Sequence, residues 1–313
     1  MATIGWIFLM TALAASCLAE PFKIGVLRTP GRYTEVIRDG FVAGVAGKGL
    51  KEGVDVVYRH EVGYAEKEAG DKNIALADAF AAWPANLIVT IGSSTSLPVI
   101  KKYKGKAIPL LFIGVTDPVG DGLVPAVGKP SQVNVTGVTF PIPIDRTMAV
   151  VNRVFPKAKA FCFVYNSHFP PDASYARWMS EYAKHSTTPI RFLDTDQTKG
   201  IPEEAMSEAE VFLGYYSLHL YRWAQKYPKI PFVGNSVEDC RWGAVISIYP
   251  KLPEMGGQAA EMAYSILQGR RTPGEIPPES AQHYAICLNL NRAKELGIPI
   301  PAGVQDLADE RIE

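Results

Sequence analysis

Residues 108–138 read IPLLFIGVTDPVGDGLVPAVGKPSQVNVTGV. The apolar run ends at Thr116 and Asp117, so a buried strand here would lead into a polar loop. In an open α/β sheet, ligands bind at the carboxyl ends of the strands. Further along, Asn134–Val138 places β-branched residues around Gly137, a pattern that predicts an extended crossover. We therefore expect two α/β lobes with polar groups at their mouths.

The chain has 313 residues, which exceeds the usual size of a single hydrophobic core and favours two domains. Hydrophobic residues make up 47% and charged residues 20%, values that exclude disordered and fibrous classes. The formal net charge of +0 gives no basic surface for nucleic acid and no polybasic patch for anionic lipid. The composition therefore favours a protein that binds a small ligand.

Residues 1–19 are predicted to be a signal peptide, because the apolar run Ile4–Ala15 is short and is followed by small residues. Cleavage after Ala19 would release a soluble periplasmic protein, and lipidation of Cys17 would instead give an anchored lipoprotein. Met1–Met10 contains no Lys or Arg, which leaves an uncleaved anchor as a third alternative. Export with soluble cleavage is the favoured interpretation.

Beyond residue 19 the cysteines are Cys162, Cys240 and Cys287, and no CxxC spacing occurs. The sequence thus gives no support for a zinc or thioredoxin-like site. Cys162 lies within a strand-like apolar run, where cysteine acts as a small hydrophobic residue. Cys240 and Cys287 could pair in an oxidising compartment, although three buried thiols are the favoured interpretation.

The first half of the chain alternates strand and helix patterns. Phe22–Leu27, Val54–Tyr58 and Leu87–Ile91 are strand-like, and Thr34–Lys48 and Glu66–Trp83 have apolar residues at helical spacing. This rhythm predicts βαβ units and a parallel sheet.

The third strand leads directly into Gly92–Ser96, ahead of a predicted helix at Leu97–Tyr103. Ser93 and Ser94 could cap the first turn of this helix, and its N–H groups could equally receive a ligand carboxylate. Both interpretations remain open from the residues alone.

The second half is predicted to repeat this architecture. We divide the chain into an N-terminal lobe at 20–138, a C-terminal lobe at 139–270 and a crossover segment with a helix at 271–313. The predicted elements are helices at Ile144–Phe155, Ala173–His185, Leu218–Tyr227, Met255–Leu267 and Asn289–Leu296, and strands at Ala160–Tyr165, Ile190–Leu193, Val211–Leu213, Pro231–Val233, Gly243–Ile248 and Tyr284–Leu288, the last an edge or crossover strand.

Several motifs together resemble one family. They are TDPVGDGLV at 116–124, NVTGV at 134–138, ILQG at 266–269 followed by Ile276 and Pro277, LNLNRAKELGI at 288–298, and the first strand at Gly25–Leu27. In their order and spacing they resemble the ABC transporter substrate-binding proteins whose characterised relatives bind tryptophan and tyrosine.

This resemblance implies a type I periplasmic-binding fold, with two flavodoxin-like lobes, a hinge and a ligand cleft. It also implies a monomer that binds a small organic ligand without a cofactor or metal and delivers it to an inner-membrane ABC permease. The implied contacts follow the strands of both lobes: Arg28, Thr29, Ser93, Ser94, Thr95, Thr116 and Asp117 in the first, and Tyr165, Asn166, Tyr216, Ser217, Asn235 and Glu238 in the second.

The chain departs from the family pattern at two of these places. Family members often have Gln and His after the first strand, where Arg28 could pair a ligand carboxylate bidentately. They often have Asp-Asn where this chain has Tyr216 and Ser217, which removes a possible partner for a ligand ammonium. Asp117 could then hold the ammonium, and an aromatic or cationic group could lie against Tyr33, Tyr64, Tyr165 or Tyr216.

Two other functions remain as alternatives. A ligand-sensing periplasmic protein would use the same cleft with a membrane receptor in place of a permease. A hydrolase would need groups such as Ser94, His168 and Asp117, but GSST at 92–95 is not a GxSxG elbow. The sequence also contains no HExxH, GxGxxG or GxxxxGK[ST] motif, so an enzyme is disfavoured.

Overall fold

Two sheets covered by helices build the molecule, whose computed structural model describes residues 20–65, 70–167, 170–195, 210–214 and 227–313. The first sheet follows from the N-terminal alternation of strands and helices, in the order β11-β5-β4-β3-β1-β2. Its strands and helices are β1 Phe22–Arg28, α1 Arg32–Gly47, β2 Val56–Val62, α2 Gly70–Ala82, β3 Leu87–Ile91, α3 Ser93–Tyr103, β4 Leu110–Val115, β5 Val135–Thr139 and β11 Glu279–Ser280.

The second sheet has the order β13-β12-β10-β9-β8-β6-β7. Its elements and surrounding helices are α4 Ile144–Val154, β6 Phe161–Tyr165, α5 Pro170–Ala183, β7 Ile190–Asp194, β8 Val211–Gly214, β9 Phe232–Gly234, α6 Val237–Arg241, β10 Ile246–Pro250, β12 Tyr284–Asn289, α8 Leu290–Glu295, α9 Ala302–Gln305 and β13 Glu310–Ile312. Among the described strand pairs, β10–β12 alone is antiparallel.

Both sheets contain the strand order 2-1-3-4-5 when each lobe is counted from its own first strand. The predicted two-lobed α/β fold is therefore confirmed, and the second half repeats the first as expected. The central strands β3 and β4 are buried along their whole length, which explains their continuous apolar sequences.

Helix α7, at Leu252–Leu267, packs on the first lobe although it follows β10 of the second lobe in sequence. Met255, Ala259 and Ala263 of α7 share a hydrophobic core with Ile37 and Phe41 of α1. The chain thus passes between the lobes after Thr139, after Pro250 and after Ser280.

The division drawn at residue 270 places α7 in the second lobe, whereas the packing places it in the first. Helical periodicity marks the apolar face of a helix, but it does not say which sheet that face covers. Of the two alternatives for the strand predicted at Tyr284–Leu288, the crossover strand agrees with the structure, since the chain enters β12 from the first lobe; the edge of the sheet is β13 at Glu310–Ile312.

Helix α3 begins at Ser93, four residues before the predicted start at Leu97. The prediction placed the serine and threonine residues before the helix, where they could cap its first turn, but residues 93–96 form that turn and Gly92 is the N-cap. The helix predicted at Leu218–Tyr227 lies outside the described residues except for Tyr227. No helix in the described ranges combines the length and the hydropathy that crossing a membrane requires.

Candidate functional site

Hydroxyl groups tie together the loops that follow β1, β3 and β4. The N–H of Thr116 donates to Ser93 Oγ at 3.2 Å, and Thr29 Oγ1 lies 3.4 Å from Thr95 Oγ1. Thr29, Thr95 and Thr116 are buried, Ser93 is partly exposed and Ser94 is exposed. The structure therefore brings the sequence-predicted first-lobe residues to one edge of the sheet, with the two serines the most accessible.

The N-terminus of α3 is open at this edge. Its N-cap is Gly92, which has no side chain to cap the first turn, and helix geometry leaves the first N–H groups without intrahelical acceptors. A Cβ at Gly92 would lie 2.6 Å from Thr29 Oγ1 and 3.1 Å from Tyr33 Oη. Glycine therefore lets these two hydroxyls approach the helix end.

Asn73 holds the rim of this edge in place and was not predicted from the sequence. It is 1% exposed, its Oδ1 accepts from the Tyr64 N–H at 2.8 Å, and its Nδ2 donates to the Tyr64 carbonyl at 3.0 Å. The same Nδ2 donates to the carbonyl of Ser94 at 3.1 Å. In a regular helix the Ser94 carbonyl would accept from the N–H four residues later, but that residue is Pro98, which has no N–H. The proline was therefore the sequence signal that this carbonyl needs another donor.

Arg28 does not present a free guanidinium to the cleft. Its side chain is 12% exposed, and Nη2 donates to Glu35 Oε1 at 2.8 Å. The bidentate pairing with a ligand carboxylate that its position suggested would require this ion pair to open. We therefore give Arg28 a lesser part in the site than the hydroxyl groups.

Asp117 connects the two lobes. Its Oδ2 accepts from Ser174 Oγ at 3.0 Å and from Arg177 Nη2, both on α5 of the second lobe. Its Oδ1 accepts from the N–H of Gly120 at 2.8 Å, and the residue is 6% exposed. Both carboxylate oxygens are thus engaged by protein groups, and one of them by the opposite lobe.

Carboxylates anchor the corresponding loops of the second lobe. Asp172 Oδ2 accepts from the N–H of Asn166 at 3.0 Å, and Asp239 Oδ2 accepts from the N–H of Asn235 at 2.9 Å. Burial raises the pKa of Asp172 to about 6, partly offset by the Asn166 hydrogen bond. These anchors were also missed from the sequence, because an aspartate five to seven residues after a strand has no motif of its own.

Of the other predicted contacts in the second lobe, two lie within the described residues and two outside them. Tyr165 is partly exposed and stacks on Phe163 with ring centroids 6.1 Å apart, and Glu238 is exposed. Tyr216 and Ser217 lie outside the described residues, as does His168 of the hydrolase alternative. In the described part of the chain, His, Cys, Asp and Glu form no group of three that could hold a metal ion.

The comparisons with known proteins agree with this architecture. A tyrosine-binding protein of Clostridioides difficile (strain R20291) is 23% identical over 268 residues, which cover 83% of this chain and 76% of that protein. The ABC domain in complex with L-Trp from Streptococcus pneumonia has a TM-score of 0.77 and 21% identity, covering 93% of this chain and 100% of that one.

A ligand-free, open structure of a substrate binding protein with adhesive properties from Clostridium difficile superposes with a TM-score of 0.78. It is 21% identical and covers 93% of this chain and 100% of that one. At this level of identity the structures establish the fold, the type I periplasmic-binding architecture. The family model for the ABC transporter substrate binding protein matches residues 24–312, and the chain belongs to that family.

Proposed function

We propose that this protein closes its two lobes on a small zwitterionic ligand outside the cytoplasm and delivers it to an ABC permease. The observation that carries this proposal is the open N-terminus of α3, surrounded by the hydroxyls of Thr29, Tyr33 and Ser93. The second lobe reaches this edge through α5, which contacts Asp117.

The first-lobe edge has the chemistry to bind a carboxylate. Backbone N–H groups and the positive end of the α3 dipole favour an anion there. Ser93 and Ser94 add hydroxyl donors, and Thr29 and Thr95 line the same edge. An α-amino acid is the simplest ligand that brings a carboxylate to this position and leaves an ammonium for the facing lobe.

Aromatic side chains favour an aromatic amino acid as that ligand. Tyr33 and Tyr64 are 40% and 41% exposed at the rim, where a ring could stack on them. The relatives support this assignment, because one is described as tyrosine-binding and another was solved with L-Trp. Tyr165, Asn166, Asn235 and Glu238 are the described second-lobe groups that we propose to contact the ligand.

We assign Asp117 to lobe closure and not to the ligand ammonium, because Ser174 and Arg177 already donate hydrogen bonds to its Oδ2. Closure is favoured by a ligand only to the extent that the ligand binds the closed state better. A contact between the lobes, such as that of Asp117 with α5, changes the free energy of closure. It therefore changes how much of the free energy of ligand binding is used to close the lobes.

A ligand screen tests this function. The protein is unfolded and refolded to remove bound ligand, then heated with amino acids, their des-amino analogues, organic acids and amines. We expect aromatic amino acids to raise the midpoint, by about 2.7 kcal/mol of stability at a hundredfold excess over Kd. A panel without any shift would refute the proposal.

Two glycine variants locate the binding site. Gly92→Ala fills the space beside Thr29 and Tyr33, so the ligand-induced shift should be lost. Gly105 follows the other end of α3, also has a positive φ, of 80°, and a Cβ there meets nothing within 4 Å, so Gly105→Ala places alanine at a positive φ without touching the site. Equal ligand shifts in both variants would exclude the α3 N-terminus as the carboxylate site.

A further inference from the structure

Cys240 and Cys287 meet inside the second lobe. Cys240 lies in α6 and Cys287 in β12, both are 0% exposed, and both are thiols in this structure. Neither cysteine is among the residues that we propose to contact the ligand.

The strand register places Cys287 on the face of the sheet that α6 covers. Cys287 lies directly opposite Ser247 in the antiparallel β10–β12 pair, so the two side chains share one face. A Cβ at Gly234 would lie 2.8 Å from Ser247 Oγ and 2.3 Å from the Cβ of Asp239, which belongs to α6. The face that carries Ser247 and Cys287 is therefore the face under α6.

A second contact fixes α6 against β12 at Cys240. Asn289 lies two residues after Cys287 and so on the same face, and its Nδ2 donates to the Cys240 carbonyl at 2.8 Å. The two thiols interact at this contact, which raises the pKa of Cys240 and lowers that of Cys287.

We propose that Cys240 and Cys287 are a disulfide-forming pair, oxidised by a low-molecular-weight disulfide such as oxidised glutathione. The Cys287 thiolate attacks the oxidant, one glutathione thiolate leaves, and a mixed disulfide forms. Cys240 then loses its proton and attacks Cys287 Sγ, releasing the second glutathione. Two protein thiols are oxidised, two protons leave them, and the oxidant is reduced to two thiols.

The disulfide would join two residues that are distant in sequence. Between the two cysteines the chain leaves β10, forms α7 in the first lobe and returns to β12. A disulfide would link the two ends of this segment within the second lobe. It would lower the conformational entropy of the unfolded chain more than that of the folded one. We therefore expect oxidation to raise the Tm.

Cys162 provides the internal control. It lies in β6, which β8, β9 and β10 separate from β12. Four strand spacings correspond to about 19 Å, whereas a disulfide needs Cα atoms within about 7 Å. Cys162 cannot pair with Cys287 without unfolding of the sheet.

The test is a thiol map of the full chain. The protein is refolded in oxidised and reduced glutathione, which gives the oxidant access to the buried sites, then acid-quenched, unfolded, alkylated and digested. We expect Cys240 and Cys287 in one linked peptide pair lighter by two hydrogens, with Cys162 alkylated. Alkylation of both cysteines, glutathione on either one, or a link between two chains would overturn the proposal.

A stability measurement gives a second readout. Oxidised wild-type protein should melt at a higher temperature than reduced protein, and Cys162→Ser should retain this difference. Cys240→Ser should lose it, and an unchanged difference in that variant would contradict the pairing. Neither readout uses a ligand, so failure here is separate from failure of the proposed transport function.

Discussion

The cleft edges of the two lobes are built from the same strand order but from different chemistry. In the first lobe, hydroxyls and an uncapped helix end meet around Thr29 and Ser93. In the second, buried carboxylates of Asp172 and Asp239 hold the loops by accepting backbone N–H groups. The first edge thus presents donors that are not used within the helix, whereas the carboxylates of the second edge are used to hold its loops.

The lobes also differ in how the chain completes them. The first lobe takes α7 from beyond the second lobe, and this helix closes one face of its core. α1 and α7 approach closely, since a Cβ at Gly256 would lie 2.2 Å from the Ile37 carbonyl oxygen and 2.5 Å from the Phe41 nitrogen. The stability of the first lobe should therefore depend on a helix near the end of the chain.

The largest expected effect tests this dependence. Gly256→Ala should lower the free energy of unfolding by about 3 kcal/mol or more, because the contacts are backbone atoms that cannot swing aside. Gly257→Ala is the matched control, since its Cβ meets nothing within 4 Å, and it should be neutral or stabilise the helix by up to about 1 kcal/mol. Denaturant unfolding of both variants measures the difference.

Hydrogen exchange sharpens the same comparison. In Gly256→Ala, protection should fall in β1 and β3 of the first lobe before it falls in β6 of the second. Uniform loss of protection in both sheets would mean that α7 does not serve the first lobe in particular.

The second prediction concerns the buried carboxylate of Asp172. Its pKa of about 6 lies above the ordinary 3.8, so the folded state keeps a proton that the unfolded state releases. Stability should therefore decline as pH rises from about 4 to about 6, by about 2 to 3 kcal/mol in total. Asp172→Asn should flatten this decline, as measured by denaturant unfolding at pH 4.5 and pH 7.5. An identical decline in the variant would show that other groups cause it.

The smallest expected effect concerns Asp117, the carboxylate that joins the lobes. Asp117→Asn and Arg177→Gln should each weaken ligand binding about tenfold, and the double variant should lose little more, because both changes remove one contact. Calorimetric titration of the wild type and of each variant gives the Kd values for this double-mutant cycle. Lys184→Gln is the control, because it removes a cation in the turn directly after α5, where Lys184 pairs with exposed Glu181.

A des-amino analogue separates closure from ligand contact. If Asp117 acts between the lobes, Asp117→Asn should weaken binding of the amino acid and of its des-amino analogue by the same factor. Weakening confined to the amino acid, with Arg177→Gln unchanged, would instead assign Asp117 to the ligand ammonium.

The sequence predicts the sheets well because parallel strands buried on both faces are continuous apolar runs, as at Leu87–Ile91, where prediction and structure coincide. It also predicts which loops meet, since Thr29, Ser93 and Thr116 each follow such a run. It does not predict Asn73, Asp172 or Arg177, because each acts through a contact distant in sequence. Nor does local periodicity reveal which lobe α7 completes.

The late position of α7 has a consequence for the folding of the chain during its synthesis. A growing chain that ends at Pro250 contains both sets of central strands, yet the apolar face of α1 around Ile37 and Phe41 lacks its cover. The first lobe can close its core only when residues 252–267 have been made. Until then, the core of the N-terminal lobe lacks one of its faces.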